Sequence, residues 1–433
     1  MNAIAILILL GSFFIMIILG IHIAYAMGMA SLLTLLYLDM PLITLINTMV
    51  GGINSYTYLA IPFFIIMGEI MGAGGISDRL IKLSSAIIGW MRGGLAMVNI
   101  VASVLFGCIS GSATADTASL GAILIPMMKK EGYDGEFATS VTMASSVEGM
   151  LIPPSHNMII YSMAAGGLSI SGVFMGGILP GMLLVLALII FSYYMAVKRN
   201  YPKGERFRIN VLFRALGESI WGLMAVLIVV VGVLSGMFTA TESAAIAVVY
   251  SFIVTFFGYR EVKLREFSKM LNTAIRTLAI VLVLVASAGT FGFLMAYLKV
   301  PTLMASAILG ITSNKFLIFL LINVILLLLG TVMGMAPIII IMTPVLLPIV
   351  MELGMDPIQF GALLILNCGI GLITPPVGGV LFVGSGISGI KIEHLVKEML
   401  PFYVVMFIVL MMVTYISAVT MTIPNLLASA GLL

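Results

Sequence analysis

The chain is a succession of apolar stretches, separated by short segments that hold nearly all of its charge. The stretches run at about 3–19, 22–38, 57–73, 93–128, 137–165, 170–197, 218–236, 240–258, 270–298, 315–351, 358–386 and 400–423. A spanning helix needs roughly 20 apolar residues, and helices satisfy their own backbone in lipid. Only 9% of the residues are charged, against roughly 25% in soluble domains. A water-soluble globular fold is therefore excluded, and an all-α polytopic membrane protein is expected. The net charge of +3 is too small and scattered for a nucleic-acid surface. Cys108 and Cys368 lie in apolar surroundings with no metal or disulfide spacing. Met1 to Ile21 lacks a basic n-region and a cleavage site, so no cleavable signal peptide is expected.

Charge sets the orientation. The connection Lys198 to Arg214 holds six basic residues and is expected to be cytoplasmic by the positive-inside rule. Two crossings later, Arg260, Lys263, Arg265 and Lys269 fall on the same side. If 93–128 (broken at Gly111) and 315–351 (broken at Gly330 and Gly334) each span twice, or dip in and out as hairpins, only Lys299 and Lys315 of the 20 Lys and Arg lie outside. Both termini are then extracytoplasmic.

The two halves repeat. Leu124, Pro126, Gly132 and Asp134 match Leu346, Pro348, Gly354 and Asp356, each 222 residues on, and Gly149, Pro153 and Pro154 match Gly371, Pro375 and Pro376 at the same offset. Composition alone does not align helix breakers. In the charge-derived topology one copy enters from the cytoplasm and the other from outside, so the repeats are inverted, as in many secondary transporters with a site at the repeat interface.

Each copy has a hairpin with a small, polar tip (110–116 and 330–337) and a crossing broken by a Pro-Pro pair (148–157 and 371–377). Proline removes a backbone donor, and unwound backbone at membrane depth is tolerated only inside protein or beside a cavity. The four breaks therefore offer carbonyls to a cation and helix N-termini to an anion. Substrate contacts are expected from Ser112, Thr114, Asp116, Pro154, Ser155, His156, Asn157, Met335 and Pro376, with a satisfied structural pair as the equal alternative for His156 and Asn157. The hydroxyls of Ser110, Ser112, Thr114, Ser145 and Ser146 either face the site or bond back into their helices. Asp116 and Glu148 are candidates for holding a cation or proton, with structural hydrogen bonding as the alternative. Glu242, in Thr239-Ala240-Thr241-Glu242-Ser243, reads as a helix-start residue. No Lys or Arg falls mid-membrane in this topology, so a Na⁺ ion beside each tip would supply positive charge for an anionic substrate.

GSATADTASLGAILIPMMKKEGYD, MLIPPSHNMIIY and ITPPVGGVLFVGSGIS, with AIPFFIIMGEIMGAGGISDRL at 60–80, resemble the large membrane subunit of tripartite ATP-independent periplasmic (TRAP) transporters. The resemblance covers essentially the whole chain. It implies a sodium-coupled importer of an organic acid (a sugar acid such as sialic acid, or a C4-dicarboxylate) in the bacterial inner membrane, working as an elevator with Na⁺ as coupling ion. It also implies two separate partners, a small four-helix membrane subunit and a periplasmic substrate-binding protein. Carried over by motif, one sodium site uses Ser110, Gly111, Ser112, Ser145, Ser146 and Gly149, and the other uses Thr331, Gly334, Asn367, Gly371 and Thr374. Gly334 departs from the family pattern, in which many relatives have an aspartate, and PPSHN departs from the commoner PPSIP. The implied organisation is N-terminal scaffold helices over 1–92 and first-repeat transport elements over 93–169. Central scaffold and arm helices follow over 170–314, then second-repeat transport elements over 315–390 and a C-terminal scaffold helix over 391–433.

Three other readings compete. A stand-alone ion-coupled carrier would need no binding protein. A channel would show ion flux without substrate. An intramembrane hydrolase using Ser112 or Ser155 with His156 lacks a well-placed base, because Ser155 and His156 are adjacent on one strand of backbone.

Overall fold

The computed structural model describes residues 2–429 apart from 55, 205, 312 and 313. Among the described residues the regular elements are helical, and one isolated bridge pairs Arg92 with Lys203. Seven helices there are long and apolar enough to span a bilayer: Ile170–Lys198, Ile209–Leu234, Ala240–Tyr259, Leu264–Tyr297, Lys315–Val332, Met335–Glu352 and Ile392–Tyr415. The stretch read as one run at 57–73 is the first limb of a bent pair, Ala60–Ala73 and Ile76–Ile88, which turn 74° at the junction. Gly75 there has a φ of +71°, the left-handed region that glycine enters without a Cβ clash. At the C-terminus the single expected helix is two, Ile392–Tyr415 and Ser417–Ser429, separated at Ile416, whose backbone is extended.

The first hairpin is Gly94–Ser110 followed by Ala113–Lys130. Gly111 ends the first helix in a left-handed cap (φ +59°), its N–H donating to Gly107 O at 2.7 Å. Ser112 is extended and caps the next helix, its Oγ accepting from Ala115 N at 3.4 Å. The second hairpin, Lys315–Val332 and Met335–Glu352, turns through the extended residues Met333 and Gly334. The broken helices are Gly135–Ser146 with His156–Ala164, and Pro357–Leu372 with Gly379–Ser388. Pro153–Pro154 and Pro375–Pro376 are cis in the two breaks.

The repeat read from the sequence is a structural repeat. Gly132 and Gly354 both take positive φ (+88° and +85°), and Asp134 and Asp356 both stand at the N-cap of a broken helix. In each copy the hairpin crosses the broken helix backbone on backbone. A Cβ added to Gly107 would lie 2.1 Å from Gly149 Cα, and one added to Gly371 would lie 2.6 Å from Gly330 Cα. The copies also exchange partners. Ala113–Lys130 packs on Gly379–Ser388, while Met335–Glu352 packs on His156–Ala164. Around them Leu264–Tyr297 packs against Ile23–Tyr37, Ile43–Ile53 and Ala60–Ala73, and Ala240–Ile253 packs against Ala60–Ala73 and Ile209–Leu234. Glu242, read as a helix-start residue, closes a capping box: its carboxylate accepts from Thr239 N at 2.8 Å, and Thr239 Oγ1 accepts from Glu242 N at 3.2 Å.

Candidate transport site

Both breaks hold the carbonyl of a hairpin tip. Asn157 Nδ2 donates to Gly111 O at 3.0 Å, and the backbone N–H groups of Val377 and Gly378 donate to Thr331 O at 3.2 and 3.0 Å. These bonds pin the start of His156–Ala164 beside the start of Ala113–Lys130, and the start of Gly379–Ser388 beside that of Met335–Glu352. The pairs meet at Gly379, where an added Cβ would lie 4.0 Å from Thr114 Cγ2. Four helix N-termini thus gather around the tips, each carrying partial positive charge and unpaired N–H groups. No Lys or Arg occurs in the tips or breaks at 110–117, 148–157, 330–337 or 371–379.

The surface of this centre is open at Thr114, Gly334, Pro376 and Val377, which are exposed, with Ser112, His156 and Thr374 half-buried beside them. Ser112 Oγ and Thr114 Oγ1 are 2.9 Å apart, and Ser110 Oγ accepts from Ser112 N at 3.4 Å. His156 Nδ1 lies against Gly111, where an added Cβ would come within 2.8 Å of it. Pro154, Ser155, Asn157 and Met335 are buried behind this rim. Of the residues expected to touch substrate, the structure therefore brings Ser112, Thr114, His156 and Pro376 to an accessible rim, and sets Asp116 deeper.

Asp116 belongs to a buried polar layer below the first tip. Its Oδ1 accepts from Ser103 Oγ at 3.1 Å, Ser103 Oγ is 3.0 Å from Ser145 Oγ, and Asn99 Nδ2 donates to Thr142 Oγ1 at 2.6 Å. Asp116 Oδ2 and both carboxylate oxygens of Glu148 are buried with no hydrogen-bond partner. A buried carboxylate in that position calls for a proton or a cation. Ser145 thus joins this layer rather than the tip, and Ser146 Oγ bonds back to Met143 O at 2.8 Å. Gly149 meets Gly107 one turn below Gly111.

The second copy has the same layer without acids. Asn367 Nδ2 donates to Asn323 Oδ1 at 2.8 Å, Asn323 Nδ2 donates to Thr414 Oγ1 at 3.1 Å, and Asn367 Oδ1 is buried and unpaired. Thr331 and Thr374 bond back to Leu328 O and Ile370 O, at 2.8 and 2.6 Å. Thr331, Gly371 and Thr374 sit together at the break, Asn367 lies one turn deeper, and Gly334 stands at the exposed end of the turn. Asn99, Ser103 and Asn323 were not singled out from the sequence. A polar residue in an otherwise apolar span was the available signal.

The family model described as "Tripartite ATP-independent periplasmic transporter, DctM component" matches residues 10–419. The chain belongs to this family. The isethionate TRAP transporter permease protein DctMQ of Oleidesulfovibrio alaskensis is 40% identical to this DctM-family chain over 416 residues, covering 96% of the chain and 65% of that protein. The 2,3-diketo-L-gulonate TRAP transporter large permease protein YiaN of Escherichia coli is 36% identical over 413 residues, covering 95% of the chain and 97% of that protein. Other relatives are named for C4-dicarboxylates and for sialic acid. The Alcanivorax borkumensis YdaH transporter structure aligns with a TM-score of 0.63 at 16% identity over 88% of each chain, a likeness of fold alone. This DctM-family chain is thus a TRAP large permease, a multi-pass inner-membrane transporter subunit and not an enzyme.

Proposed function

We propose that this permease imports an organic acid, a sugar acid first among the candidates, by sodium symport. The observation that carries the reading is the gathering of four helix N-termini around two hairpin tips that contain no basic side chain. Such a centre attracts a carboxylate through backbone N–H groups and helix dipoles. It is completed by cations that the tip carbonyls coordinate and that balance the acids behind the first tip. On this reading Na⁺ is held near Ser110, Gly111, Ser112 and Gly149 in one copy, and near Thr331, Gly371, Thr374 and Asn367 in the other. Ser112, Thr114, His156 and Pro376 contact the substrate.

The hairpins and broken helices move together as an elevator past the remaining helices, with both termini extracytoplasmic. A periplasmic binding protein delivers the acid, and a small four-helix membrane subunit completes the scaffold. The relatives named for 2,3-diketo-L-gulonate, isethionate, C4-dicarboxylates and sialic acid support an organic acid as the substrate class.

The test is uptake of radiolabelled sialic acid and 2,3-diketo-L-gulonate into proteoliposomes holding the chain and its small partner. Binding protein is added outside, and an inward sodium gradient is imposed or omitted. Uptake is expected only with both. Uptake that ignores the gradient refutes symport, and uptake without binding protein refutes tripartite delivery. Within the same assay, Ser112→Ala is expected to raise the sodium concentration for half-maximal uptake, and an unchanged requirement removes Ser112 from the cation site.

A further inference from the structure

Away from the transport centre, a cavity of about 570 Å³ opens at the basic end of the molecule, where Ile209–Leu234 begins. Its lining carries four basic side chains, Lys82, Arg206, Arg208 and Arg214, against two acidic ones, Glu131 and Glu218. Glu218 is already engaged, 4.0 Å from Lys82 and 3.3 Å from Arg214. Among the described residues Arg206 and Arg208 have neither an ion pair nor a side-chain hydrogen bond. Two cations therefore line the cavity with no ion-pair partner among the described residues, and Glu131 is the lining acid that no basic side chain engages. The rim adds Trp90 and Phe207, each about half exposed, the amphipathic aromatics that sit at headgroup depth. Ile209–Leu234, which leads away from it, is the least buried of the seven long apolar helices.

The loop that carries the two arginines is fastened in place. Arg92 Nε donates to Tyr201 O at 3.1 Å and Arg92 Nη2 to Asn200 Oδ1 at 2.9 Å, while Gly93 N bonds Pro202 O at 2.9 Å and Gly204 N bonds Met91 O at 3.4 Å. The cavity thus lies between this loop, tied to the start of the first hairpin, and the helices Ile76–Ile88 and Ile209–Leu234.

We propose that the cavity is a headgroup site for an anionic phospholipid of the cytoplasmic leaflet. Arg206 and Arg208 hold its phosphate, and its acyl chains lie along Ile209–Leu234. The unpaired charge selects an anion, and the half-exposed aromatics and the apolar helix select one with a lipid tail. The lipid so placed touches both the hairpin start and the helices beside it, and couples membrane composition to the seam between them.

The full chain in a neutral detergent is titrated with short-chain phosphatidylglycerol, phosphatidylcholine, phosphatidylethanolamine or inorganic phosphate, and adducts are counted by native mass spectrometry. Phosphatidylglycerol is expected to bind at least about tenfold tighter than the other two lipids. Near a membrane surface each arginine is worth roughly a fivefold factor, so Arg206→Gln with Arg208→Gln weakens binding roughly thirtyfold. Arg260→Gln with Lys263→Gln, on the same face but outside the cavity, leaves it unchanged. If the double variant does not fold, each single variant carries the same reading at roughly fivefold. Equal affinity for phosphatidylglycerol and phosphatidylcholine or phosphatidylethanolamine, or undiminished binding in the arginine variants, overturns the proposal. Displacement of phosphatidylglycerol by millimolar inorganic phosphate overturns it in favour of a soluble phosphate ligand.

Discussion

Replacing Gly107 by alanine tests whether the backbone crossing beneath the first hairpin tip is as tight as described. The added Cβ would lie 2.1 Å from Gly149 Cα, 3.1 Å from its C and 3.2 Å from its O. Carbon atoms in ordinary contact sit about 3.5–4.0 Å apart, so the hairpin arm must withdraw by roughly 1.5 Å. The opposing atoms are backbone, and no rotamer change relieves them. Overpacking of this kind costs roughly 3 kcal/mol, the upper part of the usual range. Alanine returns about 1 kcal/mol through its better helix propensity, which leaves a net loss of roughly 2 kcal/mol.

The second repeat supplies the control. A Cβ on Gly330 meets Gly371 Cα at 3.1 Å and Cys368 Cα at 3.4 Å. A retreat of roughly 0.5 Å suffices there, and the propensity gain offsets most of the cost of about 1 kcal/mol. Thermal unfolding in detergent should therefore rank Gly107→Ala well below Gly330→Ala, which stays close to wild type. Uptake should follow the same order, because the displaced arm carries Gly111 and Ser112. A Gly107→Ala protein as stable as wild type, or more stable than Gly330→Ala, refutes the crossing geometry.

Arg199 contacts Asp134 at 2.9 Å and Glu398 at 2.7 Å, the latter a charge pair out of hydrogen-bond alignment, with the Glu398 side chain only 17% exposed. Arg199→Ala is expected to lower stability by about 1–2 kcal/mol after allowance for solvent screening. Arg199→Lys should recover part of this, and a thermal midpoint equal to wild type in Arg199→Ala would remove the contact from the stability of the fold. Cys108 and Cys368 are both buried, so added cysteines report cleanly on sidedness. Lys203→Cys should react with an impermeant thiol reagent only from the cytoplasm and Lys315→Cys only from outside; reaction of both from one side defeats the inverted arrangement.

The breaks were legible because helix breakers are local signals. Gly111, Pro153-Pro154 and Pro375-Pro376 each interrupt an apolar run, and the matching Gly132/Gly354 and Asp134/Asp356 place the same turn in both halves. The helix start at Glu242 was legible for the same reason, since Thr239 and Glu242 lie within one turn. Gly74-Gly75 lies just past the stretch read at 57–73, and the limb beyond it, Ile76–Ile88, went unread because Asp78, Arg79 and Lys82 interrupt its apolar pattern. Ile416 carried none, because an isoleucine between two apolar helices marks no boundary. The polar layers were also out of reach. Ser103 meets Asp116 and Asn323 meets Asn367 only through the tertiary crossing, and the Gly107–Gly149 contact depends on where two helices pass.

The exchange of partners between the repeats constrains how the molecule can be made. Ala113–Lys130 finds its neighbour in Gly379–Ser388, and His156–Ala164 finds its own in Met335–Glu352. At roughly 5–20 residues per second, the ribosome takes on the order of 10–50 s to synthesise the chain between the first of these pairs. Through that interval the first repeat stands in the bilayer with its counterpart absent and its tip uncovered. Biogenesis is therefore completed by the second repeat closing on a waiting first, and neither half can finish its site before the ribosome has passed residue 388.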